Sequence, residues 1–397
     1  MKKTFLFTSE AVTEGHPDCV CDIISDAVVD RFLQQDPYAR VVTECALSKS
    51  VVFLAARFAS TAVVDIPDLA RRTIEDIGYH PAEFSAPEST VVTSFIVQSL
   101  EGRSERDEAE MTDKELDQLT VKNQITQFGF ACSHTPELLP LPIVLARRLA
   151  HQLTGARRRG EVPYLSPDCT TQVGVEFEQG RPARIHSITL IAGTHGVPDL
   201  GLEELRRDLG QWVIAPAFEG EALMPDEHTE IFVNPRGMLH RSGPAAHSGM
   251  TGRKSASDTY GGYARHAGSA LSGKGPLRID RVAAYAARHA AKNVVAAGLA
   301  EECEVQLSYT IGQARPVSVQ VSTFGTGLVG EDVIKQRLEK HFDFRLGAIV
   351  RDFNLRRLPA EYRGSFYRRL PAYGHFGASF TALPWERTDK ADLLAGV

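Results

Sequence analysis

A chain of 397 residues is long enough to form two or three domains, each with its own hydrophobic core. Its 43% hydrophobic and 24% charged residues are typical of a soluble globular protein, and its net charge of −6 disfavours a general binder of nucleic acid or anionic membranes. No apolar run approaches the ~20 residues of a membrane span, and no signal peptide is recognisable. The six cysteines are scattered, so we expect a cytoplasmic protein with reduced thiols and no structural zinc.

Hydrophobic patterning alternates between strands and helices without a regular βαβ repeat. Runs rich in Val, Thr and Phe predict strands over 40–47, 51–59, 90–98, 171–177, 185–191, 230–234, 304–311 and 317–323. Helical spacing predicts helices over 18–35, 67–77, 202–213 and 280–297, one that carries Leu145, Leu149 and Leu153, and one that begins near Glu331. The charged segment 101–122 is predicted to be an exposed excursion or linker. Strand pairs with helices between them indicate an α+β fold.

The most informative segment spans residues 7–18 and reads Phe-Thr-Ser-Glu-Ala-Val-Thr-Glu-Gly-His-Pro-Asp. An amphipathic helix is predicted to follow it, so His16 and Asp18 lie at a helix N-terminus, where backbone N–H groups and the dipole favour anions. A phosphate bound by His16 and a magnesium ion held by Asp18 would suit this position. An ordinary capped helix with a solvated acidic first turn would explain the same pattern.

Glycine-rich sequence fills 242–275 and contains a near match to the P-loop spacing. Four residues separate Gly268 from Gly273 and Lys274, but Gly275 follows where a P-loop has its magnesium-binding Ser or Thr, which argues against a P-loop NTPase. Exposed glycine N–H groups, the carboxylate of Asp280 at a helix start and several bases still fit a polyphosphate–magnesium site; the bases are Arg253, Lys254, Lys274 and Arg278. A flexible surface loop with solvated bases is the alternative.

Several long motifs occur in the order found in one known family. They are 7–10 (Phe-Thr-Ser-Glu), 14–18 (Glu-Gly-His-Pro-Asp), 252–254 (Gly-Arg-Lys), 258–262 (Asp-Thr-Tyr-Gly-Gly), 272–274 (Ser-Gly-Lys) and 373–377 (Tyr-Gly-His-Phe-Gly). These motifs resemble S-adenosylmethionine synthetases, and the match extends over almost the whole chain. The resemblance implies three similarly built α+β domains in a pseudo-threefold arrangement, over 1–103, 119–240 and 241–397. It also implies a homodimer, often paired into a tetramer, with active sites at the subunit interface.

The family reaction is an attack by methionine sulfur on C5′ of ATP, followed by hydrolysis of the released tripolyphosphate to phosphate and diphosphate. The resemblance implies that the phosphates contact His16, Arg253, Lys254, Lys274 and Arg278, of which all but Arg278 would be catalytic. It further implies that Asp18 and Asp280 hold Mg²⁺, that Glu44 binds K⁺, that Asp168 lies on the nucleoside side and that Gln98 lies at the active-site loop. Without the family, Glu44 and Gln98 would be ordinary polar residues at strand edges.

Five positions depart from the family pattern. Cys19 and Thr170 replace lysines, Asn123 and His247 replace aspartates, and Arg57 replaces the acidic residue that would receive the methionine ammonium. Two like charges ~4 Å apart cost about 4 kcal/mol at an effective dielectric near 20, so an inward-pointing Arg57 would weaken methionine binding. An acceptor with a carboxylate or phosphonate would then fit better. The alternative is that Arg57 turns away or pairs with a nearby carboxylate, and that methionine binds in another way. Cys19 could be a small hydrophobic residue rather than a nucleophile.

Three hypotheses follow from these matches and departures. The first is a divergent methionine adenosyltransferase that makes S-adenosylmethionine. The second is a family member with a changed acceptor or nucleotide, for which Arg57, Asn123 and His247 are the reasons. The third is a non-catalytic subunit that completes or regulates a synthetase, although the retained magnesium and base cluster argues against it.

Overall fold

The computed structural model describes residues 4–101, 103, 105–195, 199–377 and 382–396. Among these residues, strands form three separate sheets, and a long helix packs against each of them. The α+β fold of similarly built layers that the sequence predicts is therefore confirmed.

Every strand and helix predicted from the patterning is present, with β6 and β7 longer than expected. The strands are β1 (Thr4–Val12), β2 (Arg40–Ser48), β3 (Val51–Ala59), β4 (Thr90–Val97), β5 (Ile125–Cys132), β6 (Leu165–Glu178), β7 (Arg181–Thr194), β8 (Glu230–Val233), β9 (Gly249–Met250), β10 (Glu302–Tyr309) and β11 (Ser318–Ser322). The longer helices are α1 (Pro17–Gln35), α2 (Ile66–Ile77), α4 (Leu141–Arg159), α5 (Leu202–Leu209), α8 (Ile279–Ala296), α9 (Glu331–His341) and α10 (Leu346–Asp352). Helices of one turn or little more are α3 (Asp113–Leu116), α6 (Ala215–Phe218), α7 (Ser255–Asp258), α11 (Leu358–Glu361) and α12 (Ala391–Ala395).

The three sheets exchange strands in a cyclic way. The N-terminal sheet has the order β4-β3-β2-β9, the central sheet β1-β6-β7-β8 and the C-terminal sheet β11-β10-β5. Each predicted segment thus supplies one strand to the next sheet: β1 pairs with β6, β5 with β10, and β9 with β2. Because a strand of each segment pairs with a strand of another segment, the sheets do not follow the predicted limits 1–103, 119–240 and 241–397. These limits remain predictions.

Helix α1 is central and buried along almost its whole length, and its first-turn Asp18 is buried, so the alternative of a solvated acidic first turn is wrong. Asp22, Asp26 and Asp30 are buried together with the apolar residues of the helix. Their carboxylates accept backbone N–H groups from the C-terminal part of the chain, from Gly252 at 2.8 Å, Gly273 at 2.8 Å and Tyr367 at 3.0 Å respectively. Helical periodicity cannot distinguish a solvated polar face from one that other segments cover and pair.

Most described residues of the segment 101–122 are exposed, as its charge predicts, but the segment is anchored to the fold. Glu108 is buried and accepts from Arg356 at 2.8 Å, while Leu116 and Val121 are buried in the apolar interior. Residues 102 and 104 of this segment lie outside the described residues. Charged side chains here are paired within the fold, and sequence alone does not show such pairing.

One face of the N-terminal sheet carries exposed apolar side chains. α1 packs against this sheet at β2, whereas Phe53, Val92, Ile96 and Met250 remain exposed. The strand register places Phe53 beside Val92, and Ile96 beside Arg57. We call this exposed surface the open face; Glu44 and Arg57, which alternate with the buried residues of β2 and β3, belong to it. No helix among the described residues is both long and apolar enough to cross a membrane.

Candidate active site

The first residues of α1 form one part of the candidate site. His16 is the N-cap of the helix, and its Nδ1 accepts from the backbone N–H of Asp18 at 3.2 Å. Pro17 occupies the first turn, where its missing N–H costs nothing. Gly249 lies against the Pro17 carbonyl, and any side chain there would clash with it. The absence of a side chain at Gly249 therefore lets the segment that carries Arg253 approach the helix N-terminus.

Asp18 is buried and surrounded by donors and positive charge. Its Oδ1 accepts from the Met250 N–H at 3.0 Å, and Arg253 Nη1 lies 3.6 Å from the same oxygen. Lys254 Nζ lies 3.5 Å from Oδ2. A carboxylate and two bases at a helix N-terminus form a site that can hold an anion together with a cation.

Asp168, near the start of β6, brings a further histidine to this position. Its Oδ2 accepts from the Gly243 N–H at 2.6 Å and lies 2.9 Å from His247 Nε2. The rings of His247 and His16 have their centroids 4.9 Å apart. We call these residues the α1 group: His16, Asp18, Asp168, His247, Arg253 and Lys254.

The two histidines of the α1 group differ in protonation. Burial lowers the pKa of His16 to about 4, so the ring is neutral at pH 7. Because Nδ1 accepts a hydrogen bond, the proton is on Nε2, which can donate to a phosphate oxygen. The hydrogen bond to Asp168 raises the pKa of His247, which favours its charged form.

The His247–Asp168 pair predicts a pH dependence with a definite sign. A raised folded-state pKa adds stability that is present below the ordinary value of 6.5 and is lost as the pH rises through the folded value. In the Asp168→Asn variant we expect the NMR titration midpoint of His247 to fall, because the stabilising charge is gone. His247→Gln would identify the resonance, and an unchanged midpoint in Asp168→Asn would contradict the pairing.

Residues before and within the first turn of α8 form the second part of the candidate site. The loop that carries Lys274 extends along β2, where Thr43 N–H donates to Gly273 O at 2.8 Å and Gly275 N–H to Val41 O at 3.0 Å. Lys274 Nζ lies 3.3 Å from Asp280 Oδ1. The same carboxylate accepts from Asn123 Nδ2 at 2.9 and 3.1 Å. We call this second set the α8 group: Asn123, Lys274, Arg278 and Asp280.

A cavity of about 620 Å³ adjoins the α8 group. Arg278 lines it together with Arg57 and Gln98, so two of the predicted acceptor-side residues do lie together. Burial lowers the pKa of Arg278, and the charge of Arg57 lowers it further, whereas Asp280 and Glu44 oppose the shift. Arg57 therefore lines the cavity that adjoins the α8 group.

A single chain does not unite all the predicted residues. Among the described residues, no hydrogen bond or ion pair connects the α1 group to the α8 group. Both are attached to α1, because the loops that carry Arg253 and Lys274 donate backbone N–H groups to Asp22 and Asp26. The polyphosphate site predicted from all four bases would therefore need both groups.

Two of the departures from the family pattern have simple structural roles. Cys19 is buried, its Sγ lies 3.4 Å from Pro371 O, and burial raises the pKa of its thiol well above 9. It remains protonated, so it is a small packing residue and not a nucleophile. Thr170 lies in β6, opposite Val12 and Ile191 in the neighbouring strands.

Sequence reasoning did not identify the remaining bases of the cavity. Arg40, Lys122, Arg103 and Arg356 line it, although they lie far apart in the chain. No motif connects these positions, so no sequence signal marks them as neighbours.

Comparison with known proteins identifies related sequences over the whole chain. Three family models match: the S-adenosylmethionine synthetase N-terminal domain at residues 4–100, the central domain at 118–239 and the C-terminal domain at 242–387. The S-adenosylmethionine synthases of Gloeothece citriformis and Synechococcus elongatus are each 46% identical to this chain and align with 99% of it and with 97% and 98% of their own lengths. The synthase of Trichodesmium erythraeum is 45% identical over 99% of this chain. Matches to all three domains over the full length show that this chain belongs to the S-adenosylmethionine synthetase family.

Proposed function

We propose that this protein is a methionine adenosyltransferase, which converts ATP, L-methionine and water into S-adenosylmethionine, phosphate and diphosphate. The observation that carries the proposal is the convergence of His16, Asp18 and Lys254 at the N-terminus of α1, in a chain that matches synthases over its whole length. This arrangement suits a triphosphate bound through its negative charge. The cluster of bases also supports catalysis over the role of an inactive subunit.

The proposed chemistry needs electrostatic stabilisation more than proton transfer. The methionine sulfur donates an electron pair to C5′, the C5′–O bond breaks, and the triphosphate leaves with that bond's electrons. No proton has to move in this step. The growing negative charge would be stabilised by the neutral His16 N–H and by four bases that two chains together would supply: Arg253, Lys254, Lys274 and Arg278. Asp168 and His247 would lie on the nucleoside side.

The donor atoms fit the cations that the family implies. Asp18 and Asp280 offer carboxylate oxygens, which are the ligands that Mg²⁺ prefers, and each lies beside a lysine that would face the same phosphates. We propose that these two residues hold Mg²⁺ and that Glu44, an exposed carboxylate on β2, holds K⁺. Bound cations would neutralise part of the charge of the triphosphate. Hydrolysis of the triphosphate would follow in the same pocket.

We also propose a homodimer, or a pair of dimers, in which two chains share each site. The open face exposes Phe53 by 43% and Ile96 by 60%, and a second copy is the proposed cover. Such a dimer would bring the α1 group of one chain to the α8 group of its partner. The six cysteines are buried and unpaired, which supports the proposed location in the cytoplasm.

The substitution Phe53→Asp tests the proposed interface. A buried, unpaired carboxylate at the centre of an apolar contact is expected to shift the protein to monomers, with at least a tenfold loss of S-adenosylmethionine formation. Analytical ultracentrifugation and a chromatographic assay would measure both. Leu393→Asp is the matched control, because Leu393 is similarly exposed but lies on α12. A Phe53→Asp variant that remains dimeric and keeps normal activity would refute this interface.

One assay tests the proposed function directly. The purified protein is incubated with ATP, Mg²⁺ and K⁺, with and without methionine, and nucleosides and phosphates are separated by chromatography. Methionine-dependent S-adenosylmethionine with phosphate and diphosphate is the expected result. Phosphate release that does not need methionine would favour a changed acceptor. Activity that appears only after a second synthetase is added would favour a non-catalytic subunit.

A further inference from the structure

The cavity beside the α8 group is strongly basic. None of its lining residues is acidic. Six carry positive charge: Arg40, Arg57, Arg103, Lys122, Arg278 and Arg356. The remaining lining residues are apolar or neutral, among them Gln98, Ser99 and Thr120. A small molecule bound in this cavity therefore meets an excess of positive charge.

Three of these bases already have partners. Arg103 pairs with Asp36, Arg356 pairs with Glu108, and Arg40 donates to the carbonyl of Ser99. Carboxylates compensate the charges of Arg103 and Arg356, and a backbone carbonyl holds the guanidinium of Arg40.

The other three bases, Arg57, Lys122 and Arg278, are different. In the described parts of the chain, no Asp or Glu oxygen lies within 4 Å of their side-chain nitrogens. Arg57 and Arg278 both line the cavity, so the two guanidinium groups share one space. Two guanidinium groups that line one cavity without an ion-pair partner among the described residues form an incomplete anion site.

We propose that this protein also transfers the adenosyl group to thioether carboxylates that lack an ammonium group, and that Arg57 determines the preference. This inference rests on the proposed adenosyl transfer from ATP. A carboxylate placed near Arg57 would gain a charge-assisted contact, while Arg278 stays with the triphosphate. The ammonium of an amino acid would find no acidic partner in the lining and would be repelled by the same residues.

The chemical step remains balanced with such an acceptor. The thioether sulfur forms a bond to C5′ with one of its electron pairs, and the C5′–O bond breaks as the triphosphate leaves. The product is a sulfonium carboxylate, and no oxidant, reductant or proton donor is needed. The distant ammonium takes no part in bond making, so its absence alters binding and not the reaction.

Competition between two acceptors of equal length tests the proposal. The probes are L-methionine and 4-(methylthio)butanoate, which is methionine without its amino group. In Arg57→Glu, the ratio of kcat/KM for 4-(methylthio)butanoate to that for methionine is expected to fall at least tenfold from the wild-type ratio. The new carboxylate would attract the ammonium and repel the acid. Arg57→Gln is expected to give an intermediate ratio.

A control variant and the wild-type result keep the test decisive. Arg72→Glu changes an exposed arginine that pairs with Asp68 on α2, away from the cavity, and should leave the ratio unchanged. An Arg57→Glu ratio within twofold of wild type would overturn the inference, and so would a wild-type enzyme that does not adenosylate 4-(methylthio)butanoate but does adenosylate methionine. Failure with both acceptors would instead refute the proposed function.

Discussion

The substitution Asp18→Asn is expected to lower kcat for S-adenosylmethionine formation about 100- to 1,000-fold, the effect of removing one preorganised electrostatic group. The amide oxygen can still accept from the Met250 N–H, so local structure should survive. The variant loses the negative charge of the carboxylate near Lys254 and Arg253. This carboxylate is the proposed Mg²⁺ ligand. Steady-state kinetics over a Mg²⁺ titration would show a weaker dependence on the ion.

Two comparisons make the Asp18 result specific. Asp68→Asn removes an exposed carboxylate of α2 and should retain wild-type kinetics. Mixing Asp18→Asn with Asp280→Asn should restore part of the activity, because one site of each mixed dimer would combine intact groups from two chains. Full activity in Asp18→Asn at normal Mg²⁺ would remove this residue from the proposed site. Failure of the mixture to recover would argue against shared sites.

The substitution Arg281→Met is expected to destabilise the protein by about 3–5 kcal/mol, the range for breaking a buried ion pair. Arg281 has no exposed surface. Its guanidinium donates to Asp26 Oδ2 at 2.7 Å and to Leu271 O at 2.6 Å, so it connects α8 to α1. Removal leaves the buried carboxylate of Asp26 without its cation. Urea denaturation followed by circular dichroism would measure the loss.

The double variant Asp26→Asn with Arg281→Met separates the two causes. Asparagine still accepts from the Gly273 N–H and carries no charge, so much of the lost stability should return. A double variant as unstable as Arg281→Met would mean that packing, not the orphaned charge, sets the cost. A loss of stability below about 1 kcal/mol in Arg281→Met would be typical of a surface ion pair and would contradict this prediction. Arg31→Met, which removes a solvent-exposed arginine from the same α1, should have little effect.

The elements of secondary structure and the nearest neighbours within the site could be predicted from the sequence. Periodicity is a local property, so it locates α1, α8 and eight of the described strands, but it gives no range for β1, β5 or β9. His16 and Asp18 lie two residues apart at one helix N-terminus, and Lys274 and Asp280 contact each other across the loop that leads into α8. Family motifs extended these local predictions to the fold.

Long-range pairing was decided by the tertiary structure alone. The contacts of Asp168 with His247 and of Asn123 with Asp280 span 79 and 157 residues, and no spacing rule predicts them. The cyclic exchange of β1, β5 and β9 and the burial of polar residues of α1 depend on which surfaces pack together. Short-range order follows from backbone geometry that each segment carries in its own residues, whereas the basic cavity and the two groups arise only when distant segments bury surface against each other.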